Sequence, residues 1–490
     1  MSVLYIAAAI LLYQFYRLIR RSAQRPPGPK PWPIIGNLLQ MPKSHEWLTF
    51  AACGIEYGHC VYLTILGQPI LVLSSLQAAN ELLEQRSAIY SSRPRLVMAG
   101  DLTGFDQSIA LMPYTDRFRE MRQLLKKELS DSSLKIYWPL HEEESRILVK
   151  NLLAEPAQLA DWVRYYAGSI ILKVTYVMAA FSEASQPGNW LVDLIPWLRH
   201  VPDWMPGAEF KRKATQWSKL HMEVIEEPYI WAKAYQDSMA LITPHFTTTV
   251  LSTESNEALT EEQDNLLLWA SASLFGGGAD TTVAAISSFF LAMALHPEIQ
   301  RQGQKEIDDV LHGKRLPKVE DMPSLPFVRN IMREVLRWNP VAPLGVPHLL
   351  TQDEMYRNYK TPKGTIVMPN IWLILHDPEV FPEPNNFNPI RFFKSERAVK
   401  TLGVAFGFGR RPYPGVSFAE SSMFIAIATA LAVCDISTAV DNERGSSISA
   451  NVLYKTGTIS HPPAFTCSIK SRSESAMKLL QRTLEEEKVS

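Results

Sequence analysis

The stretch Leu266–His296 leaves this chain the least freedom. It is apolar almost throughout, contains no proline and runs straight into Pro297, which cannot continue a helix. Such a helix has no polar face to show to water and must be surrounded by protein. The chain therefore needs a body large enough to wrap it. Inside the stretch lie Gly276, Gly277 and Gly278 in succession, each costing a helix interior about 1 kcal/mol relative to alanine. Two explanations fit: close approach of something large and flat with a local opening of the helix, or tight packing against another helix. Asp280 and Thr281 follow. A carboxylate in a buried helix is expensive unless paired or functional, whereas a threonine can simply return its hydroxyl to a backbone carbonyl.

The bulk of the chain can supply such a body. Its 490 residues are 46% hydrophobic and 20% charged, with no Gly/Ser-rich linker or charge run to divide them, so one large domain is expected. A formal net charge of -1 gives no electrostatic case for nucleic acid. Four scattered cysteines, Cys53, Cys60, Cys434 and Cys467, form neither a disulfide framework nor a zinc cluster and suit a reducing compartment. Helical patterns dominate. The β-rich runs Val61–Ile65 and Ile70–Leu73, separated by Gly67-Gln68-Pro69, read as a hairpin, and Ile366-Val367 continues the β pattern. The fold class is mainly α with small β-sheets.

At the front, Val3–Tyr16 is an apolar run broken only by Gln14 and followed by Arg17, Arg20, Arg21 and Arg25. It is short against the roughly 20 residues that span a bilayer, but a signal peptide carries its basic segment in front, not behind. Residues 1–25 are read as a membrane anchor, a single N-terminal transmembrane helix with its basic flank and the body in the cytosol; a signal peptide or a buried helix are the alternatives. Deleting them is expected to release the body from lipid. Residues 26–37, beginning Pro26-Pro27-Gly28-Pro29, read as a stiff spacer, residues 38–470 as the main domain and 471–490 as a solvated tail. Val201–Phe210, rich in turns and apolar residues, is read as a packed loop, with contact to membrane or substrate as the alternative.

A second signal is Phe406-Gly407-Phe408-Gly409-Arg410-Arg411-Pro412-Tyr413-Pro414-Gly415. Three glycines and two prolines in ten residues make a tight loop, and a helical pattern starts at Val416. The loop delivers Tyr413 to the mouth of that helix, flanked by cations suited to carboxylates. Elsewhere Phe118 and Arg122 share a helix face one turn apart, as do Glu334 and Arg337 at a spacing of three.

Together these segments resemble the cytochrome P450 family, most of all the fungal membrane-bound monooxygenases of secondary metabolism and xenobiotic oxidation. Phe406, Gly409, Arg411 and Gly415 fit the haem-binding loop Phe-x-x-Gly-x-Arg-x-Cys-x-Gly, with Tyr413 in the slot of the cysteine that ligates iron. Gly277 to Thr282 fits [Ala/Gly]-Gly-x-[Asp/Glu]-Thr-Thr, and Glu334-Val335-Leu336-Arg337 fits Glu-x-x-Arg, with Arg391 as its partner. The resemblance implies a P450 fold holding haem, with Arg122 and His348 on the haem propionates and Asp280 and Thr281 delivering protons. It also implies electrons from an NADPH-cytochrome P450 reductase, a hydrophobic small-molecule substrate, and an anchor in the endoplasmic reticulum membrane. Phe118 stands where the family has tryptophan, and the segment between Leu159 and Phe210 is shorter than in similar proteins. Tyr413 leaves three readings open. The family's activity is retained in some form, the chain is a catalytically impaired relative, or Tyr413 ligates iron as phenolate and supports peroxide-dependent chemistry.

Overall fold

A computed structural model describes residues 25–168, 178, 180–186, 188–234, 259–438 and 452–489. The anchor expected before Arg25 lies outside them. The expected hairpin is present as β1 (Cys60–Ile65) and β2 (Gln68–Leu73). Leu66 and Gly67 both take positive φ, 49° and 88°, the conformation that lets a two-residue turn follow the strand twist. Residues 26–37 are not a free spacer. Tyr62 N donates to Pro27 O and Asn37 N to Thr64 O, so the proline-rich segment is stitched along β1.

The helices follow as α1 (Asp116–Glu128), α2 (Trp138–Ala154), α3 (Leu159–Ala167), α4 (Glu209–Ala234), α5 (Glu261–Leu295), α6 (Pro297–Leu311) and α7 (Pro326–Trp338). The short strands β3 (His348–Leu349) and β4 (Ile366–Pro369) come next, with a separate hairpin of Glu354–Tyr356 and Tyr359–Thr361 between them, then α8 (Val416–Val433), β5 (Cys434–Thr438), β6 (Cys467–Ser471) and α9 (Glu474–Val489). β4 runs parallel to β2 and antiparallel to β3, with His348 opposite Val367. This sheet ties the N-terminal hairpin to the C-terminal half and sets His348 on the wall between them.

The long apolar stretch is α5. Thr260 caps it reciprocally with Gln263, and Glu261, Glu262 and Asp264 sit at its positive end, where the helix dipole favours carboxylates. Most residues from Ala279 to Ala294 are buried. The helix is continuous across the glycines, so the expected local opening does not occur. α8, more apolar still, packs against α2, α5, α6 and α7. The two helices are long and apolar enough to cross a bilayer, but here they are the core. The C-terminal segment corrects another expectation. Instead of a solvated tail it is the helix α9, with Leu480 buried and Leu479 and Leu484 against the core. Nor is Val201–Phe210 a packed loop throughout: Trp204 is 82% exposed.

Candidate functional site

The loop before α8 is held by its own backbone. Gly407 N donates to Val404 O, Arg411 N to Phe408 O and Tyr413 N to Phe406 O. Gly409 has φ +63°, and a Cβ there would stand 2.1 Å from Leu83 O, so only glycine fits; its N–H donates to Glu84 Oε1 at 2.6 Å. Gly415 ends the loop as the residue preceding α8. From this base the Tyr413 side chain crosses to α5. A Cβ on Gly277 would lie 3.0 Å from Tyr413 Cε2 and 3.2 Å from its hydroxyl, and one on Gly415 3.0 Å from Cε1. The flat object that approaches the glycine run is therefore the phenol ring itself.

Burial alone pushes the Tyr413 phenol up to about 12. The cationic help that a phenolate needs from Arg410 or Arg411 is absent. Arg410 is exposed and donates to the Tyr114 hydroxyl at 3.2 Å, and Arg411 turns to backbone carbonyls. A folded-state value above the ordinary 10 has a definite sign. The neutral phenol contributes stability below pH 10, and that contribution is lost as the pH rises towards 12. Alkaline unfolding curves of the parent and Tyr413→Phe are expected to coincide near neutrality and to part above pH 10, with the parent the less stable.

Between the loop and α5 lies a cavity of about 300 Å³, lined chiefly by apolar groups such as Phe105, Phe181, Trp269, Phe275 and Ile459. Phe406 is on its wall, and so are three guanidiniums, those of Arg93, Arg122 and Arg411. Arg411 donates to Ser91 O at 2.7 Å, Met112 O at 2.8 Å and Ile109 O at 3.2 Å. It also lies 3.7 Å over the Phe118 ring, a cation–π contact. Arg93 donates to Ala110 O, Val346 O and Pro347 O, and Arg122 to Pro412 O at 2.5 Å. Among the described residues no carboxylate pairs with any of the three. Burial, then the charges of Arg93 and Arg122, push Arg411 down to about 8, and burial takes Arg93 to about 9. Such a wall favours an anion with more than one negative oxygen.

Arg93 was not foreseen; His348, expected at the haem periphery, lines the same cavity. Its Nδ1 lies 2.8 Å from Tyr90 O, which only accepts, so the ring proton sits there. Burial, then Arg93, hold the imidazole well below its ordinary value. With Nδ1–H on Tyr90 O, the other ring nitrogen, Nε2, is left to meet whatever occupies the cavity that His348 lines.

On the α5 side, Thr281 lines the cavity and returns its hydroxyl to Gly277 O at 2.6 Å. Asp280 is buried behind that wall, paired with His461 Nε2 at 3.1 Å. This partner resolves the expense of a carboxylate in a buried helix, and nothing in the spacing had pointed to His461. The charge network is complete. Glu334 receives Arg337 Nε at 2.8 Å and Nη2 at 2.9 Å, the backbone N–H of Asn388 at 2.8 Å and Arg391 Nε at 3.2 Å. Pro382 O and Asn386 O accept the remaining donors of Arg391.

Residues 26–461 match the family described as Cytochrome P450. The chain belongs to the cytochrome P450 family. It is 40% identical to cytochrome P450 monooxygenase 105 of Postia placenta, across 96% of this chain and 94% of the relative. It is 39% identical to cytochrome P450 monooxygenase claR of Ampulloclitocybe clavipes, over 96% and 91%. To cytochrome P450 monooxygenase COX2 of Coprinopsis cinerea it is 36% identical, over 98% and 95%. This P450 has the mainly helical fold of its family and is by family an oxidoreductase. P450 proteins bind haem, an iron porphyrin with two carboxylates. The three guanidiniums without a carboxylate partner fit that periphery. Tyr413 alone fits poorly, because a flat macrocycle and a phenol spanning to Gly277 exclude one another until the phenol turns aside.

Proposed function

We propose that this P450 retains its family's pocket for a haem and a hydrophobic small molecule, of secondary-metabolite or xenobiotic type. We further propose that its oxidation of that molecule with O₂ is impaired at Tyr413. One observation carries the reading. The guanidinium wall and the Glu334 network are intact, while the residue beneath the pocket is a neutral phenol held against α5.

In this reading Arg93, Arg122 and Arg411 hold the haem carboxylates, and Phe406 and the loop backbone form the floor. When bound, the haem supplies the oxygen and redox chemistry, with electrons from an NADPH-cytochrome P450 reductase. The aromatic lining keeps water away and receives the apolar substrate. Thr281 places a hydroxyl on the wall, and the Asp280–His461 pair holds an exchangeable proton behind it. The phenol supplies none of the electron density that a thiolate lends to O–O cleavage, and neither Arg410 nor Arg411 is turned to it to favour a phenolate. The test is an absorption spectrum of the purified chain supplied with haem, reduced under carbon monoxide. The expected result is haem uptake without the red-shifted band of a thiolate ligand. That band in the parent would overturn the reading.

The proposal includes an endoplasmic reticulum membrane anchor and a second lipid contact. Trp197, Trp204 and Leu191 are 70%, 82% and 56% exposed, as are Trp32 and Ile34 at 59% and 92%. The two segments adjoin, since Leu194 packs in one cluster with Leu38 and Met41. Exposed tryptophans beside aliphatic residues suit a membrane interface. Deleting residues 1–25 is therefore expected to weaken vesicle binding without abolishing it. Adding Trp197→Ser and Trp204→Ser should release the body in a sedimentation assay, and full release by the deletion alone would remove this second contact.

A further inference from the structure

One polar group among those lining the cavity has a fixed orientation that the reading above leaves unused. His221, on α4, is 5% exposed and lines the wall together with Val224, Ile225 and Trp269. Its Nδ1 stands 3.0 Å from Thr103 O. A carbonyl oxygen only accepts, so Nδ1 carries the proton and Nε2 keeps a lone pair. Burial supports the neutral form, holding the imidazole down to about 4. The ring is clamped, with its centroid 3.9 Å from that of Phe105 and 5.7 Å from that of Trp269. It cannot turn its acceptor elsewhere without losing both ring contacts and the Thr103 bond.

Two hydroxyls lining the same cavity each have one backbone partner. Ser108 donates to Phe105 O at 2.6 Å, and Ser273 accepts from Ile109 N at 3.1 Å. Filling this end of the cavity with a purely apolar molecule would strand the Nε2 lone pair away from water, at the cost of an unmade hydrogen bond.

We infer that His221 Nε2 is the hydrogen-bond acceptor that selects the ligand of this cavity, an apolar ring compound bearing a free hydroxyl. The inference rests on the proposal that the cavity takes a hydrophobic small molecule, and it adds the group by which that molecule is chosen. His221 acts by contact with the ligand and takes no part in a proton transfer.

The test is calorimetric titration of the full-length, detergent-solubilised chain with 1-naphthol and 1-methoxynaphthalene, which differ in the donor hydrogen. The parent is expected to bind the naphthol about tenfold more tightly, the scale of one hydrogen bond in a site that leaves its acceptor unpaired otherwise. In His221→Phe, which keeps an aromatic ring between Phe105 and Trp269, the preference should fall to near unity with the ether's affinity retained. His221→Gln, able to donate to Thr103 O and to offer its own oxygen, should recover part of the preference. A merely structural role would shift both probes together. Equal binding of the two probes by the parent overturns the inference whatever the variants do, and so does an undiminished preference in His221→Phe. Binding of neither probe overturns the small-molecule reading of the cavity, and this inference with it.

Discussion

Tyr413→Cys is expected to raise haem affinity by roughly tenfold or more and to introduce the red-shifted carbon-monoxide band that the parent lacks. At Gly277 the phenol ring lies so close that a single added carbon would stand 3.0 Å from it. Haem entry has to displace that ring, and Pro412 and Pro414 stiffen the loop that would give way. Removing an overfilled contact of this kind is worth about 1–3 kcal/mol. Cysteine removes the ring and adds the thiolate together, while the Arg93, Arg122 and Arg411 wall is unchanged. The native thiols are poor substitutes, since burial pushes Cys60, Cys434 and Cys467 up to about 12. Tyr413→Ala separates the two effects: it should gain affinity without the band. If neither variant takes up haem, the fault lies in the pocket walls and not in the tyrosine.

Glu334→Gln is expected to cost about 3–5 kcal/mol, the usual consequence of removing one partner from a buried charge network. Glu334 and Arg337 have no exposed side-chain surface, and Arg391 has almost none. Glutamine occupies the same space but cannot neutralise two guanidiniums. The loss should appear as an unfolding temperature lower by several degrees and as faster proteolysis of the haem-free chain. Arg391→Lys, which keeps the charge but loses the fork that reaches Pro382 and Asn386, should cost less. Equal stability of Glu334→Gln and the parent would show that the network is not a stabilising element.

The two predictions draw on features that differed in how far the sequence exposed them. Glu334 and Arg337 were legible because a spacing of three on one helix puts both on one face. The loop at Phe406–Gly415 was legible because glycines and prolines admit few conformations. Arg93 and His461 escaped notice because their roles come from contacts across the chain, with Val346 and with Asp280, and no local pattern records such a meeting. His348 was placed on the right wall, but its bond to Tyr90 O is again a contact between distant segments that no local pattern records. The three glycines announced close approach without naming the visitor, which turned out to belong to the same polypeptide. The docking of Leu480 was hidden because α9 is highly charged overall, so its few apolar contacts did not stand out.

The crowding of guanidiniums on one wall also bears on the chain before its pocket is filled. Arg93 and Arg122 both repel Arg411, so a newly made polypeptide closes against its own electrostatics until two carboxylates arrive together. A ligand that binds only the folded form stabilises it by mass action. A shortage of tetrapyrrole is therefore expected to leave more of the chain open to quality-control proteases, read as a lower yield from cells grown without a haem precursor.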